Sequence, residues 1–362
     1  MKISKLQVTN FRNLEPDVIT FGSGINCIFG DNGNGKTNIL EALYYIINRK
    51  SFRKNTSFPQ IISLDGENNE ILFQSVFDKD NSIKTLSGKL LNEGATWFID
   101  GKPTKKKIGA GLIFINPFDS QQFHTSPSFR RNWLDTHLSQ LSETYKKNLS
   151  KYTKHLKNRN ILLQRKPFEY KKQIIATDQE MAKMAVSITE DRVEFIEEIN
   201  KLLESTFYEL FSEEHLLTLE LDSPMVGKNE IFYCELMNHN WKKDDITGRT
   251  SYGIHRDDYV LLFDGLNSFD YCSLGQQKTS YLSLLFAYTE LFLYKFKTYP
   301  IVLIDDVSGE LDSYRWQKLI NYLKHKEFQV LITTANNNFR DGLDTIDGAV
   351  NIQVASGSIQ NI

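Results

Sequence analysis

The sequence predicts an α/β fold carrying a phosphate-binding loop, built from both ends of the chain around an α-helical insertion. Three observations carry that expectation. Gly30–Thr37 reads G-D-N-G-N-G-K-T, the pattern G-x-x-x-x-G-K-[ST], set between an apolar run, Ile25–Phe29, and a stretch with Ile39, Leu43, Ile46 and Ile47 at helical spacing. Toward the other end, Ile301–Ile304 is an apolar strand closed by Asp305-Asp306. Between them, from about Ser128 to Phe211, glycine is all but absent and Pro167 is the only proline, the texture of long helices. The expected organisation is a nucleotide-binding lobe in two parts, 1–120 and 249–362, with a helical insertion lobe over 121–248.

Taken in order, Leu6 and Val8 alternate with Gln7 and Thr9, a strand signature. Further strands are expected at Ile71–Phe77 and Trp97–Ile99, near turns at Asp65-Gly66 and Asp100-Gly101. A short apolar run, Ile113–Ile115, is stopped by Asn116-Pro117. In the insertion, Leu134, Leu138 and Leu141, then Ile188, Phe195, Ile199, Leu202 and Leu203, keep helical spacing, so two or three long helices are expected, broken near Lys166-Pro167. The stripe lacks the sustained heptads of a long coiled coil. Strands return at Leu216–Leu221 and Tyr259–Phe263. A helix at Gln277–Tyr294, the strand at Ile301, a helix at Tyr314–Lys324 and a strand at Val330–Thr333 complete an alternation that argues for a parallel sheet with helices on its faces.

The glycine loop is suited to a nucleoside triphosphate. Glycines let the backbone N–H groups of Gly30, Asp31, Asn32, Gly33, Asn34 and Gly35 turn inward, and the helix start near Asn38 adds unpaired donors and a positive dipole end. Lys36 would reach the β- and γ-phosphates, and the Thr37 hydroxyl would ligate Mg²⁺. Asp305, at the end of an apolar strand, would hold Mg²⁺ through its water shell, and Asp306 stands where a general base could polarise an attacking water. Ser273, Gly275 and Gln276 open the long helix and offer a second phosphate-grade N-terminus; helix capping by Ser273 is the plainer reading. Ser308-Gly309-Glu310-Leu311-Asp312 follows the acidic pair.

Bulk composition excludes several classes. The 362 residues hold 43 Lys and Arg against 45 Asp and Glu, so an anionic partner must be met by a local patch. The cysteines, Cys27, Cys234 and Cys272, show no paired spacing, which argues against a zinc site or a disulfide framework. No signal-peptide pattern opens the sequence and no run approaches the ~18 apolar residues of a membrane span, so a soluble, cytoplasmic protein is expected. The local patch is present. Residues 146–172 carry ten cations against Glu169 alone, with Lys147, Lys151, Lys154 and Lys157 at helical spacing. Such a stripe suits sequence-independent phosphate contacts to DNA, with a solvated helix face as the alternative; Lys105, Lys106 and Lys107 form a second cluster, for which a solvated surface is the plainer reading. Arg12 and Arg53 could point at phosphate, of ATP or of DNA, or could pair with nearby acids. His255 lacks metal-ligand spacing and is expected to be structural.

The order of motifs resembles an ABC-type ATPase head of the SMC-like kind. More narrowly, the chain is similar to the RecF family of bacterial recombination mediators. The resemblance rests on Asn10-Phe11-Arg12-Asn13, Gly35 to Ala42 (G-K-T-N-I-L-E-A), Ser51-Phe52-Arg53, the Pro117 to Asp135 segment with Arg130-Arg131 and Leu134-Asp135, Gly253-Ile254-His255-Arg256-Asp257-Asp258, Ser273 to Lys278 and Asp305 to Asp312. Phe118, Thr125, Trp133 and Ile254 depart from its pattern. The resemblance implies an ATP-dependent homodimer in which Ser273 and Gly275 of one subunit close on the γ-phosphate held by the other. It implies slow ATP hydrolysis and binding of duplex DNA near single-strand gaps. It also implies a role in recombinational repair, replication restart and the SOS response, with RecR and RecO placing RecA. Transporter-type and defence-type ABC ATPases are the alternative readings; the transporters' switch histidine is missing after Thr333-Thr334-Ala335-Asn336.

Overall fold

The computed structural model describes residues 1–361 except 54, 65–68, 80, 81, 117, 212, 213, 307–311, 336–341, 344 and 345. The expected turn at Asp65-Gly66, Pro117, the Ser308–Leu311 motif and Asn336 therefore lie outside the described residues. Two compact units result: Met1–Asp119 with Glu209–Phe211 and Phe292–Ile362, and Ser120–Tyr208 with Ser212–Leu291.

The first unit opens with β1 (Lys2–Thr9), β2 (Val18–Thr20), β3 (Ile25–Phe29), α1 (Lys36–Asn48), α2 (Phe58–Ile61), β4 (Ile71–Lys79), β5 (Ser82–Leu91), β6 (Gly94–Ile99), β7 (Lys102–Pro103) and β8 (Leu112–Ile115). The second holds α3 (Asp119–Thr125), α4 (Pro127–Leu141), α5 (Glu143–Arg165), α6 (Tyr170–Leu210), β9 (Leu217–Asp222), α7 (Glu230–His239), α8 (Trp241–Thr247), β10 (Asp258–Phe263), β11 (Leu266–Asn267), α9 (Ser268–Tyr271) and most of α10 (Leu274–Phe296). The chain then returns to the first unit with β12 (Ile301–Ile304), α11 (Ser313–Lys324), β13 (Val330–Thr334), β14 (Val350–Ala355) and β15 (Ser358–Asn361).

The expected parallel sheet is present, in the order β15-β14-β3-β13-β12-β8, antiparallel only at the β14–β15 hairpin. Its central strands β3, β12 and β13 are buried at every residue, which is why none shows the alternation of a half-exposed strand; β12 is apolar throughout, while Asn26 in β3 and Thr333-Thr334 in β13 are buried polar exceptions. Register aligns Ile304 with Ile332 and Ile115, and Thr334 with Phe29. The residues that follow β3 and β12 therefore emerge at one carboxyl edge, where open α/β sheets place their ligands. A second, antiparallel sheet runs β2-β1-β4-β5-β6-β7. Leu40, Leu43 and Ile46 of α1 share one apolar core with Leu6 and Phe73 of this sheet and with Ile28, Leu303 and Leu331 of the parallel one. The glycine-loop helix is thus gripped from both sides.

In the second unit the helix break falls as expected: Lys166 caps α5 in the left-handed region at φ 45° and α6 begins at Tyr170. Residues 249–291, expected with the C-terminal nucleotide lobe, group with the helices instead. The cause is pairing. β10 lies antiparallel to β9 from Asp258↔Asp222 to Phe263↔Leu217. No helix among the described residues is long and apolar enough to cross a membrane.

Candidate nucleotide site

The loop between β3 and α1 takes a shape open only to glycine at two points. At Gly30 φ is +151° and an added Cβ would lie 2.1 Å from the Val354 carbonyl oxygen. At Gly35 φ is +109° and a Cβ would meet Asn13 Oδ1 at 2.9 Å. The loop is buttressed by the β14–β15 hairpin and by Asn13: Asn34 Nδ2 donates to Val354 O (3.2 Å), Gly357 N to Asn34 O (3.0 Å) and Asn13 Nδ2 to Gly33 O (3.2 Å). Asp31, Asn32 and Gly33 stay exposed at the loop's tip.

Lys36 is buried, and its Nζ donates to the carbonyls of Gly30 (2.7 Å) and Asp31 (3.0 Å), so the ammonium is curled inside the loop. Burial pushes its pKa down, against the pull of Asp306, Asp305 and Asp31. Thr37 Oγ1 donates to Asp305 Oδ1 at 2.8 Å, joining residues 268 positions apart. The same Oδ1 accepts from Thr333 Oγ1 (2.8 Å), which in turn accepts from the Asp306 N–H (2.9 Å). Burial raises the Asp305 pKa; the Thr333 and Thr37 hydroxyls oppose that, Asp306 adds to it, and the Arg53 charge opposes it. Asp306 sits at φ +39°, a left-handed conformation for a non-glycine residue, near enough for its charge to act on Lys36. A hydroxyl and a carboxylate 2.8 Å apart at a glycine cradle form a donor set that suits a hard divalent cation carried by phosphates.

Glu41 is the residue sequence reasoning left without a role. It is fully buried on α1, and Arg12 grips it through two bonds, Nε to Oε2 (3.1 Å) and Nη2 to Oε1 (2.8 Å). Ser51 Oγ donates to Oε1 (2.6 Å), and Arg53 Nη1 lies 3.3 Å from Oε2. Arg53 Nη2 also donates to Asn38 Oδ1 (2.9 Å), and Asn38 Nδ2 to Asn13 Oδ1 (2.7 Å). Both arginines therefore pair with an acid, the plainer of their two readings, while Arg53 keeps its guanidinium beside the first turn of α1. Glu41→Ala leaves Arg12 and Arg53 without their buried acid and is expected to destabilise the chain by about 3 kcal/mol, read by urea unfolding. The Arg12→Ala/Glu41→Ala double variant should recover part of that loss.

In the second unit, the first turn of α10 is exposed at Ser273 and Leu274. Ser273 Oγ accepts from Gln276 N (3.3 Å) and Gln276 Oε1 accepts from Ser273 N (2.9 Å), a reciprocal capping box. Capping is thus what this serine does in the structure. Asp312, in the first unit, likewise caps α11 by accepting from Arg315 N (2.8 Å). Lys147, Lys151, Lys154 and Lys157 are exposed on the face of α5 opposite the buried Tyr145, Tyr152 and Leu163, and among the described residues they make no ion pair. Arg159 does not belong with them. It is fully buried, donating to Asp178 Oδ1 (2.6 Å), Asp244 Oδ2 (2.7 Å) and Thr250 Oγ1 (2.9 Å). Lys146, Lys166 and Lys172 pair with Glu143, Asp245 and Glu169. In the first unit Lys105 and Lys106 are exposed, their carbonyls accepting from Arg49.

The segments around Arg130 and Asp257 form a framework. Arg130 clasps Asp258 (2.8 and 2.6 Å), while buried Arg192 bonds Asp257 (2.7 Å), Asp135 (2.9 Å) and the Ile254 carbonyl (2.9 Å). His255 is pushed down to about 4 by burial, offset in part by the Thr250 carbonyl and reinforced by Arg256, so it is neutral near pH 7.

Residues 2–356 match the sequence family described as the RecF/RecN/SMC N terminal domain. The DNA replication and repair protein RecF of Clostridium botulinum (strain Eklund 17B / Type B) is 31% identical over 100% of both chains. This chain belongs to the RecF family. The RecF of Clostridium novyi (strain NT) is 32% identical to this RecF-family chain over 99% of each. Among solved structures, the recombination mediator protein RecF-ATPrS in the RecFOR pathway superimposes with a TM-score of 0.85 at 23% identity, over 99% of this chain and 98% of that one. The Smc head domain of Pyrococcus furiosus bound to the C-terminal domain of ScpA gives 0.59 at 16%, over 100% and 96%. The fold of this RecF-family chain is therefore that of the RecF and Smc heads: a P-loop, ABC-type α/β lobe with inserted helices.

Proposed function

We propose that the chain is an ATP-gated DNA clamp of recombinational repair. The observation that carries this reading is the meeting of Lys36, Thr37 and Asp305 at one sheet edge, within a family whose relatives are named for DNA replication and repair. The backbone of Gly30–Thr37, with Asn38 alongside, holds the triphosphate of ATP, Lys36 turning from the loop carbonyls to its phosphates. Thr37 and Asp305 hold Mg²⁺, Asp305 partly through water; the ion neutralises phosphate charge. Asp306 orients water for a slow, DNA-stimulated hydrolysis. Ser273, Gly275 and Gln276 of a second copy close over the nucleotide, so that two chains and two ATP molecules make a homodimer. Asp312 lies beside that contact and Arg53 beside the phosphates. The clamp holds duplex DNA near single-strand gaps, through Lys147, Lys151, Lys154 and Lys157 and through Lys105 and Lys106. In the cytoplasm it works with RecR and RecO to place RecA, in repair, replication restart and the SOS response.

The DNA part is tested by reversing Lys147, Lys151, Lys154 and Lys157 to Glu. Duplex affinity is expected to fall at least tenfold with ATP present. The slope of log K against log salt should become shallower by about 0.9 for each phosphate that the variant no longer neutralises. An unchanged slope places the DNA elsewhere.

A further inference from the structure

A cleft of about 570 Å³ opens within the second unit, lined by Lys243 of α8, by Arg249, Tyr252 and Arg256 of the segment before β10, and by Asp222 and Pro224 after β9. Its size falls in the roughly 300–1,000 Å³ range of small-ligand sites. Three features set it apart from an ordinary basic surface. The first is charge. Lys243, Arg249 and Arg256 are exposed and make no ion pair among the described residues. Of the two acids in the lining, Asp257 is buried and bound to Arg192, which leaves exposed Asp222 against three cations. Like charges gathered around one concavity repel, and an anion in it relieves them.

The second feature is a rigid frame that uses none of these three side chains. Ser251 donates from N (2.9 Å) and Oγ (2.5 Å) to Asp244 Oδ1, and Thr250 from N and Oγ1 (both 2.8 Å) to Asn160 Oδ1. Fully buried Arg159 ties Asp244 and Thr250 together. Gly253 turns at φ +126°, where a Cβ would strike Tyr152 Oη at 2.8 Å. A segment pinned this firmly holds its cations in place without spending them on the fold. The third feature is Tyr252, 40% exposed, with Lys243 Nζ 5.4 Å from its ring centroid: a flat aromatic surface beside the cations.

We propose that this cleft is a phosphate site separate from the glycine loop, sized for one nucleotide, with phosphate on Arg249 and Arg256 and the base against Tyr252. The nucleotide is either free or one unit of a nucleic-acid strand, the phosphoryl chemistry being common to both. The proposal goes beyond the clamp reading and does not depend on it.

The test uses the full chain with Lys36→Ala, which disables the loop, and two probes in separate arms: a fluorescent ATP analogue and a labelled ten-residue oligothymidylate. At least one probe is expected to bind. That binding should fall at least tenfold when Arg249→Gln and Arg256→Gln are added, and several-fold with Tyr252→Ala, while the melting temperature stays put. Binding confined to the ATP analogue assigns a free nucleotide; binding of the oligomer assigns a strand. If the double arginine variant does not fold, exposed Tyr252→Ala decides. Absence of binding by both probes, or binding indifferent to the arginines and to Tyr252, overturns the proposal.

Discussion

Lys36→Ala is expected to lower ATP affinity by on the order of 100-fold or more. The ammonium now donates to two carbonyls of its own loop, 2.7 and 3.0 Å away, so the loop is already wrapped around a positive charge. On the proposed reading those donors pass to phosphate oxygens when ATP binds. Hydrogen bonds to charged groups contribute about 1.5–3 kcal/mol each, and two of them give the expected factor. Stability should change little, because the variant also removes the cost of burying the ammonium that depresses its pKa. Titration with a fluorescent ATP analogue measures the first effect and a thermal melt the second. An affinity within threefold of wild type would show that the loop does not hold the triphosphate.

Asp306→Asn should separate binding from turnover. Phosphate release is expected to fall by about 10²–10⁴, the usual contribution of a positioned base, with ATP affinity nearly unchanged. The substitution is conformationally mild: Asp306 sits at φ +39°, a region that Asn tolerates better than most residues, and its N–H bond to Thr333 is kept. Because the clamp would load and then fail to reset, the variant should stay dimeric with ATP and hold DNA longer than wild type. Failure of this variant to dimerise with ATP would contradict the clamp reading.

What could be read from the sequence was local. Strand, glycine loop and helix are contiguous, so residues 25–48 announced themselves, and apolar runs without alternation marked the buried parallel strands. What escaped depends on distant partners. Glu41 stands among Leu40, Ala42 and Leu43, and an acid on an apolar helix face was the available signal for the clamp with Arg12 and Arg53. Thr333 needed the register of β12 against β13 before its hydroxyl could be placed on Asp305. The β14–β15 hairpin had no motif, and Asn13 stood in a motif that gave it no role, yet both support the loop. Arg159 belongs to the basic stripe in sequence but not in space. It follows Tyr145 and Tyr152 at seven-residue steps, which puts it on their buried face, where Asp178 and Asp244 neutralise it.

The central claim is that ATP joins two copies of this chain through Ser273. Light-scattering mass measurement of the wild type and of a Ser273→Arg variant, each with no nucleotide, ADP or a non-hydrolysable ATP analogue, tests it most directly. A dimer is expected for the wild type with the analogue alone, and a monomer for Ser273→Arg throughout, although that variant still binds the analogue. A wild type that stays monomeric with the analogue, or a dimer equally present without nucleotide, would contradict it.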